Sequence, residues 1–368
     1  MHMAPAATST NSSLQPPKLH ASDIGSIKAF SESNGSSPIP SSYHSIVEPR
    51  DDVADELASS FPIVDFSLLT SDDPLLHADA VNQLGKACAE WGFFMLTGHG
   101  ISEKLMGEVM DKSQEFHNLS VEEKKEFADK GPLAPIRHGT SFYPEAELFH
   151  FWRDYLKVIT LPEFNFPHKP PGFKDVAYDY VRKIRAVART LLQGISESLG
   201  LEPEALVEST GFDSGLQIFA VNLYPPCPQP DLALGMPPHT DHGLLTLLYQ
   251  NGIGGLQVKH DGRWVNVDPL PNCFIVNTAD QLEAVSNGRY KSIWHRAVLN
   301  NKDTRMSIVV ANGPNLEKEI GPAPELVGRE EPVMYKNIKY RDYFFKVQQM
   351  TKLDDTSRLD RVRTNPQN

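Results

Sequence analysis

The sequence contains little cysteine and no excess of positive charge, and each deficit excludes a class of protein. Only three cysteines occur in 368 residues. Because they are odd in number and widely spaced, neither a disulfide framework nor a zinc motif is indicated, and a reducing compartment, the cytosol, is expected. The formal net charge is -12. Nucleic acids and anionic membranes require a basic surface, so neither is an expected partner.

Long apolar runs are absent as well, since no stretch approaches the roughly 20 residues of a membrane-spanning helix. The first arginine is Arg50, which argues against an organelle transit peptide. Residues 1–21 are rich in serine and proline and are expected to stay disordered, because they bury too little apolar surface. Apolar residues nevertheless make up 40% of the chain. A large core is therefore expected, in a monomeric protein.

Changes in composition and periodicity divide the chain into five expected regions. These are a disordered tail (1–21), an N-terminal extension (22–60), a helical region (61–205), a strand-rich region (206–352) and a C-terminal tail (353–368). Apolar residues of the extension, including Ile27, Ile39 and Tyr43, are expected to pack along the main body.

Periodic apolar residues predict both helices and strands. The predicted helices cover residues 79–91, 101–116, 121–127, 175–199 and a stretch near 340–350. The predicted strands cover 61–66, 93–96, 244–249, 273–277 and 306–311, with a hairpin over 256–267 that turns at Asp261-Gly262. Short strands punctuated by glycine and proline favour a double-sheet jelly roll. The expected fold class is α+β: a double-stranded β-helix (jelly-roll) core with flanking helices, one of them a long bracing helix over 175–199.

The stretch His239-Thr240-Asp241 carries the strongest chemical signal. Strand side chains alternate, so His239 and Asp241 are predicted to share one face. An isolated triplet of this kind is more often a surface or core histidine than a metal site. His295, further along the chain, offers a third ligand. Two histidines and one carboxylate on one face of an octahedron leave three positions open, which suits non-haem Fe(II) oxygenases.

Arg305 and Ser307 strengthen the metal hypothesis. They stand two residues apart at a predicted strand and therefore share a face. Arginine presents a planar pair of donors that matches a carboxylate. The two residues are expected to hold the distal carboxylate of a keto diacid whose other end chelates the metal.

Several motifs occur in an order that resembles one known family. They are Trp91–Phe94 with His99–Ile101, Asn222–Pro228, the His239/Asp241/His295 set, Gly254–Val258, Ser286–Ser292 and Arg305 with Ser307. Over roughly residues 60 to 350, the chain resembles the plant 2-oxoglutarate- and Fe(II)-dependent dioxygenases related to flavanone 3-hydroxylase, flavonol synthase and anthocyanidin synthase. The stretch Phe151–Leu156 is similar to the downy-mildew-resistance-6-like branch.

The resemblance implies a jelly-roll catalytic region and assigns roles to residues. Those implied to bind Fe(II) are His239, Asp241 and His295, and those implied to bind 2-oxoglutarate are Arg305, Ser307, Tyr224 and Asn222. The implied reaction consumes O₂ and 2-oxoglutarate, with ascorbate as reductant, and yields succinate and CO₂. It hydroxylates, desaturates or O-demethylates a small plant metabolite, such as a phenolic, a flavonoid or an alkaloid.

Departures from the family bear on the substrate. Ala220 occupies a position where anthocyanidin synthase carries a lysine that faces its substrate. The segment Ala311-Asn312-Gly313 is smaller than the aromatic residue often found there. These features predict a bulky, mostly neutral aromatic substrate. Apolar and aromatic groups line most small-molecule sites, and the candidates for the pocket wall are Phe142, Tyr143, Phe219 and Ala311.

Other functions stay open at this point. An ascorbate-dependent oxidase on the same scaffold also carries the Arg305/Ser307 pair, so those residues do not separate the two. A non-catalytic small-molecule binder is a second alternative, although the intact ligand set argues against it. A zinc hydrolase would need a general base beside the metal, and the local sequence nominates none. The substrate and the position oxidised are undetermined.

Overall fold

The structure is a computed structural model that describes residues 25–35, 37–45, 53–128, 131, 134–140, 150–347 and 358–364. The expected disordered tail (1–21) lies outside the described residues, as does most of the expected C-terminal tail (353–368). Two predicted pocket residues, Phe142 and Tyr143, also fall outside them.

The α-helices lie mostly in the first half of the described chain. They are α1 (Ile27–Asn34), α2 (Phe66–Leu69), α3 (Pro74–Glu90), α4 (Glu103–Asn118), α5 (Val121–Lys124), α6 (Phe173–Ser198), α7 (Ala205–Thr210), α8 (Asp280–Val285) and α9 (Tyr340–Asp342). A capping box formed by Ser120 and Glu123 begins α5. Helix α3 begins earlier than its apolar period, because Asp73 caps two backbone N–H groups of the first turn and Pro74 has no N–H to satisfy.

The strands are short and lie mostly in the second half. They are β1 (Ile63–Asp65), β2 (Phe93–Thr97), β3 (Ile136–Gly139), β4 (Asp154–Leu161), β5 (Gln217–Tyr224), β6 (Met236–His239), β7 (Leu245–Gln250), β8 (Leu256–His260), β9 (Arg263–Val267), β10 (Phe274–Thr278), β11 (His295–Ala297), β12 (Arg305–Asn312), β13 (Glu319–Ile320) and β14 (Ile338–Lys339). The predicted hairpin is confirmed as β8 and β9. Its turn residues, Asp261 and Gly262, adopt φ values of 48° and 81°.

Two sheets build the core. The major sheet has the strand order β1-β2-β10-β7-β12-β5-β4-β3, and the minor sheet has the order β6-β11-β8-β9. Apolar side chains of both sheets meet in one buried cluster, which includes Phe93, Met95 and Ile275 from the major sheet and Leu256, Val258 and Val265 from the minor sheet. This facing pair of sheets is the jelly roll that the sequence predicts.

The other face of the major sheet packs against helix α6. Because strand side chains alternate, even-numbered residues of β12 point away from the minor sheet. They share a buried cluster with the apolar stripe of the helix, and this cluster includes Met306, Ile308, Val310, Ile184, Ala188 and Leu191. The long helix therefore braces the sheet from outside and leaves the inner face for the site.

The last helical stretch lies against His242, in the turn between β6 and β7. The helix predicted near 340–350 is an α-helix only to Asp342, and Tyr343–Val347 continue as a π-helix. The Tyr340 hydroxyl lies 2.7 Å from Nδ1 of His242. The ring of Phe344 packs on the same imidazole with centroids 4.7 Å apart. These contacts bring aromatic side chains from the end of the chain beside the site.

The N-terminal extension is attached to the major sheet by the buried carboxylate of Asp154. Its two oxygens accept hydrogen bonds from the Ser26 hydroxyl at 2.6 Å, the Ile27 N–H at 2.6 Å and the Lys28 N–H at 3.3 Å. Ile27 and Tyr43 pack beside it in a small cluster with Trp152. A strand residue thus caps helix α1 from outside that helix.

We expect Asp154→Ala to release helix α1, because the substitution leaves two backbone donors and a hydroxyl without their acceptor. Once released, these donors bond to water, so only the net contribution of three hydrogen bonds is lost, about 0.5–1.5 kcal/mol each, and the free energy of unfolding in urea falls by about 2–4 kcal/mol. Faster hydrogen exchange at residues 27–30 reports the same change. Asp179→Ala, at an exposed position on α6, is the control. Unaltered exchange in Asp154→Ala would refute this attachment.

Candidate metal centre and co-substrate pocket

Three side chains converge at the end of β6, the edge strand of the minor sheet. His239 ends β6 and His295 begins β11, and the antiparallel register pairs them directly. Their ring centroids lie 4.1 Å apart. Oδ1 of Asp241 lies 3.9 Å from Nε2 of His239 and 3.8 Å from Nε2 of His295. One ligand atom from each residue therefore lies within 4.8 Å of the others, close enough to bind one metal ion.

The local geometry differs in one respect from the sequence prediction. His239 and Asp241 were expected on the same strand face, but β6 ends at His239 and Asp241 lies beyond it. The pairing of His239 with His295 across two strands supplies most of the convergence. The backbone N–H of Asp280 donates to the carbonyl oxygen of Asp241 at 2.8 Å, which holds the turn in place.

Neighbouring groups orient all three ligands. Nδ1 of His239 lies 2.8 Å from the carbonyl oxygen of Pro237, and Nδ1 of His295 lies 3.2 Å from that of Ile293. A carbonyl only accepts, so each imidazole carries its proton on Nδ1 and leaves the Nε2 lone pair for a metal. The Asn277 amide donates to Oδ2 of Asp241 at 3.0 Å, which leaves Oδ1 facing the histidines.

Electrostatics favour the metal-binding protonation states. Burial lowers the pKa of His239, and His295 beside it lowers it further. Burial raises the pKa of Asp241, but His295 and His239 outweigh this effect, so the net shift is downward. At neutral pH the carboxylate is charged and the His239 imidazole is neutral, the forms that bind metal. Two imidazole nitrogens and one carboxylate oxygen on one side fit Fe(II).

A second cluster, the co-substrate pocket (Arg305, Ser307, Tyr224 and Asn222), lies on the inner face of the major sheet. Arg305 pairs directly with Tyr224, and Ser307 pairs with Asn222. The Arg305 guanidinium carbon lies 5.1 Å from the centroid of the Tyr224 ring. All four side chains predicted to bind 2-oxoglutarate are therefore neighbours.

The Arg305 guanidinium is buried and has donor capacity left over. Its Nη2 donates to Oε1 of Gln250 at 2.8 Å. Its Nε finds no hydrogen-bond partner among the described residues. A buried donor without an acceptor costs about 1–3 kcal/mol, and a bound carboxylate supplies that acceptor. The pocket therefore fits the distal carboxylate of 2-oxoglutarate.

Gly255 allows the chain to pass close to this arginine. Its φ is 130°, and a Cβ there would lie 2.8 Å from the carbonyl oxygen of Val298 and 3.2 Å from Cδ of Arg305. Any side chain would therefore displace the guanidinium or the neighbouring strand. This close approach gives a physical reason for glycine in the Gly254–Val258 motif.

The two described candidates for the pocket wall, Ala311 and Phe219, lie on opposite faces of the major sheet. Ala311 is half-buried and lies on the same face of β12 as Arg305 and Ser307. Phe219 lies on the opposite face of β5, where its ring packs 5.3 Å from Phe166 in the core beneath α6. Ala220, the next residue, takes the inner face instead. The structure does not bring Phe219 to the site.

Two site residues were missed from the sequence. Asn277 orients Asp241, and Gln250 binds Arg305. Both are polar residues at the ends of apolar strands, β10 and β7, and that contrast was the available signal. Gln250 pairs directly with Ser307, a relation that only the strand register shows.

A facial set of two histidines and a carboxylate inside a jelly roll, with a buried arginine on a neighbouring strand, defines a non-haem Fe(II) oxygenase that uses 2-oxoglutarate. Among the described residues, no helix has the length and apolar character of a membrane span.

Comparisons with known proteins agree with this class. The model of the 2OG-Fe(II) oxygenase superfamily matches residues 215–314, and that of the non-haem dioxygenase in morphine synthesis N-terminal matches residues 61–175. The chain is 43% identical over 307 residues to 2-oxoglutarate-dependent dioxygenase 19 of Oryza sativa subsp. japonica, covering 83% of this chain and 91% of that protein. It is 41% identical over 290 residues to flavanone 3-dioxygenase 2 of the same organism, covering 77% and 82%.

A solved structure, JOX2 in complex with 2OG, Fe and JA, is 28% identical and superimposes with a TM-score of 0.81, covering 93% of this chain and 98% of that one. The chain belongs to the 2-oxoglutarate- and Fe(II)-dependent oxygenases and is an oxidoreductase. The family and fold predictions from the sequence are confirmed.

Proposed function

We propose that this enzyme oxidises a C–H bond of a small plant specialised metabolite, a phenolic, flavonoid or alkaloid, in the cytosol and as a monomer. The outcome is hydroxylation, desaturation or O-demethylation, coupled to the conversion of 2-oxoglutarate into succinate and CO₂. The observation that carries the proposal is the combination of the His239/Asp241/His295 set at the end of the minor sheet with the buried Arg305 on the inner face of the major sheet. The name of the flavanone 3-dioxygenase relative supports the substrate class.

Different residues bind the metal and the co-substrate. His239, Asp241 and His295 hold Fe(II), which together with O₂ and 2-oxoglutarate supplies the oxidising power for C–H cleavage. Arg305 and Ser307 bind the far carboxylate of 2-oxoglutarate and thereby set its orientation. Tyr224 packs against the guanidinium, and Asn222 is held by a 2.8 Å hydrogen bond from Arg153.

The test is the ratio of succinate to oxidised product. Purified enzyme with Fe(II), 2-oxoglutarate and ascorbate is screened against phenolic, flavonoid and alkaloid metabolites, and products are identified by mass spectrometry. We expect one succinate for each substrate oxidised. Product formation that needs ascorbate but no 2-oxoglutarate would instead establish the ascorbate-dependent oxidase. Binding of a metabolite with no oxidation of any compound would establish the non-catalytic binder.

Enlarging the wall tests the position of the substrate. We expect Ala311→Phe to exclude the substrate and spare 2-oxoglutarate, because overpacking a filled site costs ~1–3 kcal/mol and Arg305 lies six residues away on β12. The readout is uncoupled turnover, meaning succinate without matching oxidised product. Ala78→Phe, at an exposed position on α3, is the control. Coupled and undiminished product formation in Ala311→Phe would remove residue 311 from the pocket.

A further inference from the structure

Helix α8 holds the turn that carries Asp241. The first backbone N–H groups of any helix have no partner inside it, and in α8 they donate to this turn. The N–H of Asp280 bonds to the carbonyl oxygen of Asp241 at 2.8 Å, and the N–H of Gln281 bonds to that of Gly243 at 2.8 Å. Every residue of α8 is buried. The position of the helix therefore sets the position of one metal ligand.

The same helix holds the stretch that leads to His295. Oε2 of Glu283 accepts a hydrogen bond from the N–H of Ser292 at 2.7 Å. The next residue, Ile293, carries the carbonyl oxygen beside Nδ1 of His295. Glu283 lies three residues after Asp280, so the two acidic side chains are neighbours on the helix. One short helix thus contacts the chain at both Asp241 and the approach to His295.

Three side chains from the C-terminal part of the chain bind these two carboxylates. The Tyr343 hydroxyl donates to Oδ2 of Asp280 at 2.7 Å. The Tyr335 hydroxyl and Nη2 of Arg363 donate to Oε1 of Glu283 at 2.6 and 3.0 Å. The Arg363 guanidinium carbon also lies 5.1 Å from the centroid of the Tyr335 ring. We name Tyr335, Tyr343 and Arg363 the C-terminal brace.

The brace matters to α8 because the carboxylates it binds are buried. Asp280 is 0% exposed and Glu283 is 3% exposed. A buried charge is costly unless it is paired and hydrogen-bonded, and a hydrogen bond away from water is stronger than one at the surface. Without its donors from the brace, each carboxylate would gain by moving toward water. The backbone bonds from α8 to the metal-binding stretches would loosen with that movement.

We propose that the C-terminal brace positions the iron ligands through α8, so that Tyr343 and Arg363 are positioning residues that set how tightly Fe(II) is held. The effect passes in two steps, from the brace to α8 and from α8 to the stretches that carry Asp241 and His295. It concerns the iron and not the organic substrate, and is therefore independent of which metabolite is oxidised.

The first experiment measures Fe(II) affinity without oxygen, by competition with a chromogenic chelator. Tyr343→Phe removes only a hydroxyl, and Arg363→Gln removes the charged donor. Loss of a direct outer partner of a metal ligand costs roughly 10–100-fold, and the brace acts one step further out. We therefore expect each variant to weaken Fe(II) binding about three-fold and the double variant about ten-fold. The matched controls, Tyr178→Phe (43% exposed) and Arg341→Gln (52% exposed), keep the wild-type affinity.

The second experiment follows hydrogen exchange in the metal-free enzyme, which separates positioning from turnover. We expect Tyr343→Phe to speed exchange at the N–H groups of Asp280 and Gln281, and Arg363→Gln to speed it at Ser292. Arg363→Lys keeps a charged donor for Glu283 and retains most of the wild-type protection at Ser292. The two halves of the brace are thus read at different amides.

A general loss of stability is distinguished by a third measurement. Arg305 lies on β12, away from α8, so the affinity for 2-oxoglutarate at saturating Fe(II) stays at the wild-type value in both single variants. All affinities are measured well below the melting temperature of each variant, where a smaller folded fraction does not mimic weaker binding.

Two results would overturn the inference. One is that Tyr343→Phe, Arg363→Gln and their combination all bind Fe(II) as tightly as the wild-type enzyme. The other is weaker Fe(II) binding with unchanged exchange at Asp280 and Ser292, because the effect would then not pass through α8. Either result leaves the proposed oxidation of a plant metabolite intact, since that is tested by succinate and product formation in the wild-type enzyme.

Discussion

Alanine in place of His239, Asp241 or His295 abolishes turnover in each case and leaves the fold largely intact. Each substitution removes one of the three ligands found among the described residues, and the remaining two no longer define one face of the metal. Loss of a mere outer partner of a metal ligand costs 10–100-fold in affinity or activity, so we expect losses greater than about 100-fold here. His239 and Asp241 are half-buried, so little packing is lost.

Succinate formation measures the activity, elemental analysis measures bound iron, and thermal melting monitors the fold. His168→Ala is the matched control, because its side chain is 65% exposed and it lies on a loop far from the triad in sequence. We expect wild-type iron content and turnover in that variant. Full activity in any one of the three ligand variants would exclude that residue from the metal centre.

Arg305→Lys weakens 2-oxoglutarate binding by roughly ten-fold or more, about 1.4 kcal/mol or greater. Lysine keeps the positive charge but loses the planar pair of donors that engages both carboxylate oxygens. It also loses the Nη2 bond to Gln250, which holds the guanidinium in place. Charge alone is therefore insufficient at this position, and the geometry of the donors accounts for the difference.

The affinity for 2-oxoglutarate is measured by calorimetry with Fe(II) present and oxygen excluded. Arg263→Lys is the control, since that side chain is 39% exposed and its ion pair with Glu56 lies at the surface. It leaves 2-oxoglutarate binding unchanged. If Arg305→Lys altered only the affinity for the organic substrate, Arg305 would belong to the substrate site and the co-substrate assignment would be wrong.

Several elements were predictable because their signals are local. The hairpin turn at Asp261-Gly262 needs positive φ values that few residues tolerate, and the Ser120/Glu123 box satisfies backbone donors within one turn. The start of α3 was missed, although its cue was equally local. The prediction followed the apolar period and overlooked the cap at Asp73 with Pro74 after it.

In the site, too, some residues were predictable from the sequence and others were not. The three metal ligands were predictable because Fe(II) chemistry demands particular side chains in a recognisable order. Phe219 was misplaced because its orientation depends on the parity of β5 relative to β12, which no single segment reveals. Asn277 and Gln250 serve the site through contacts with residues 36 and 55 positions away in the chain. Their roles depend on which strands pair.

By itself the sequence indicated the fold class through its short alternating strands, and the reaction class through motifs in the order of a known family, because both depend on residue types and their order along the chain. Only the tertiary structure decided how these pieces face one another. The register of β11 against β6 makes His239 and His295 partners. The register of β4 against β5 places Lys157 beside Ala220. A shift of one residue in either pairing would turn these side chains to the other face of the sheet.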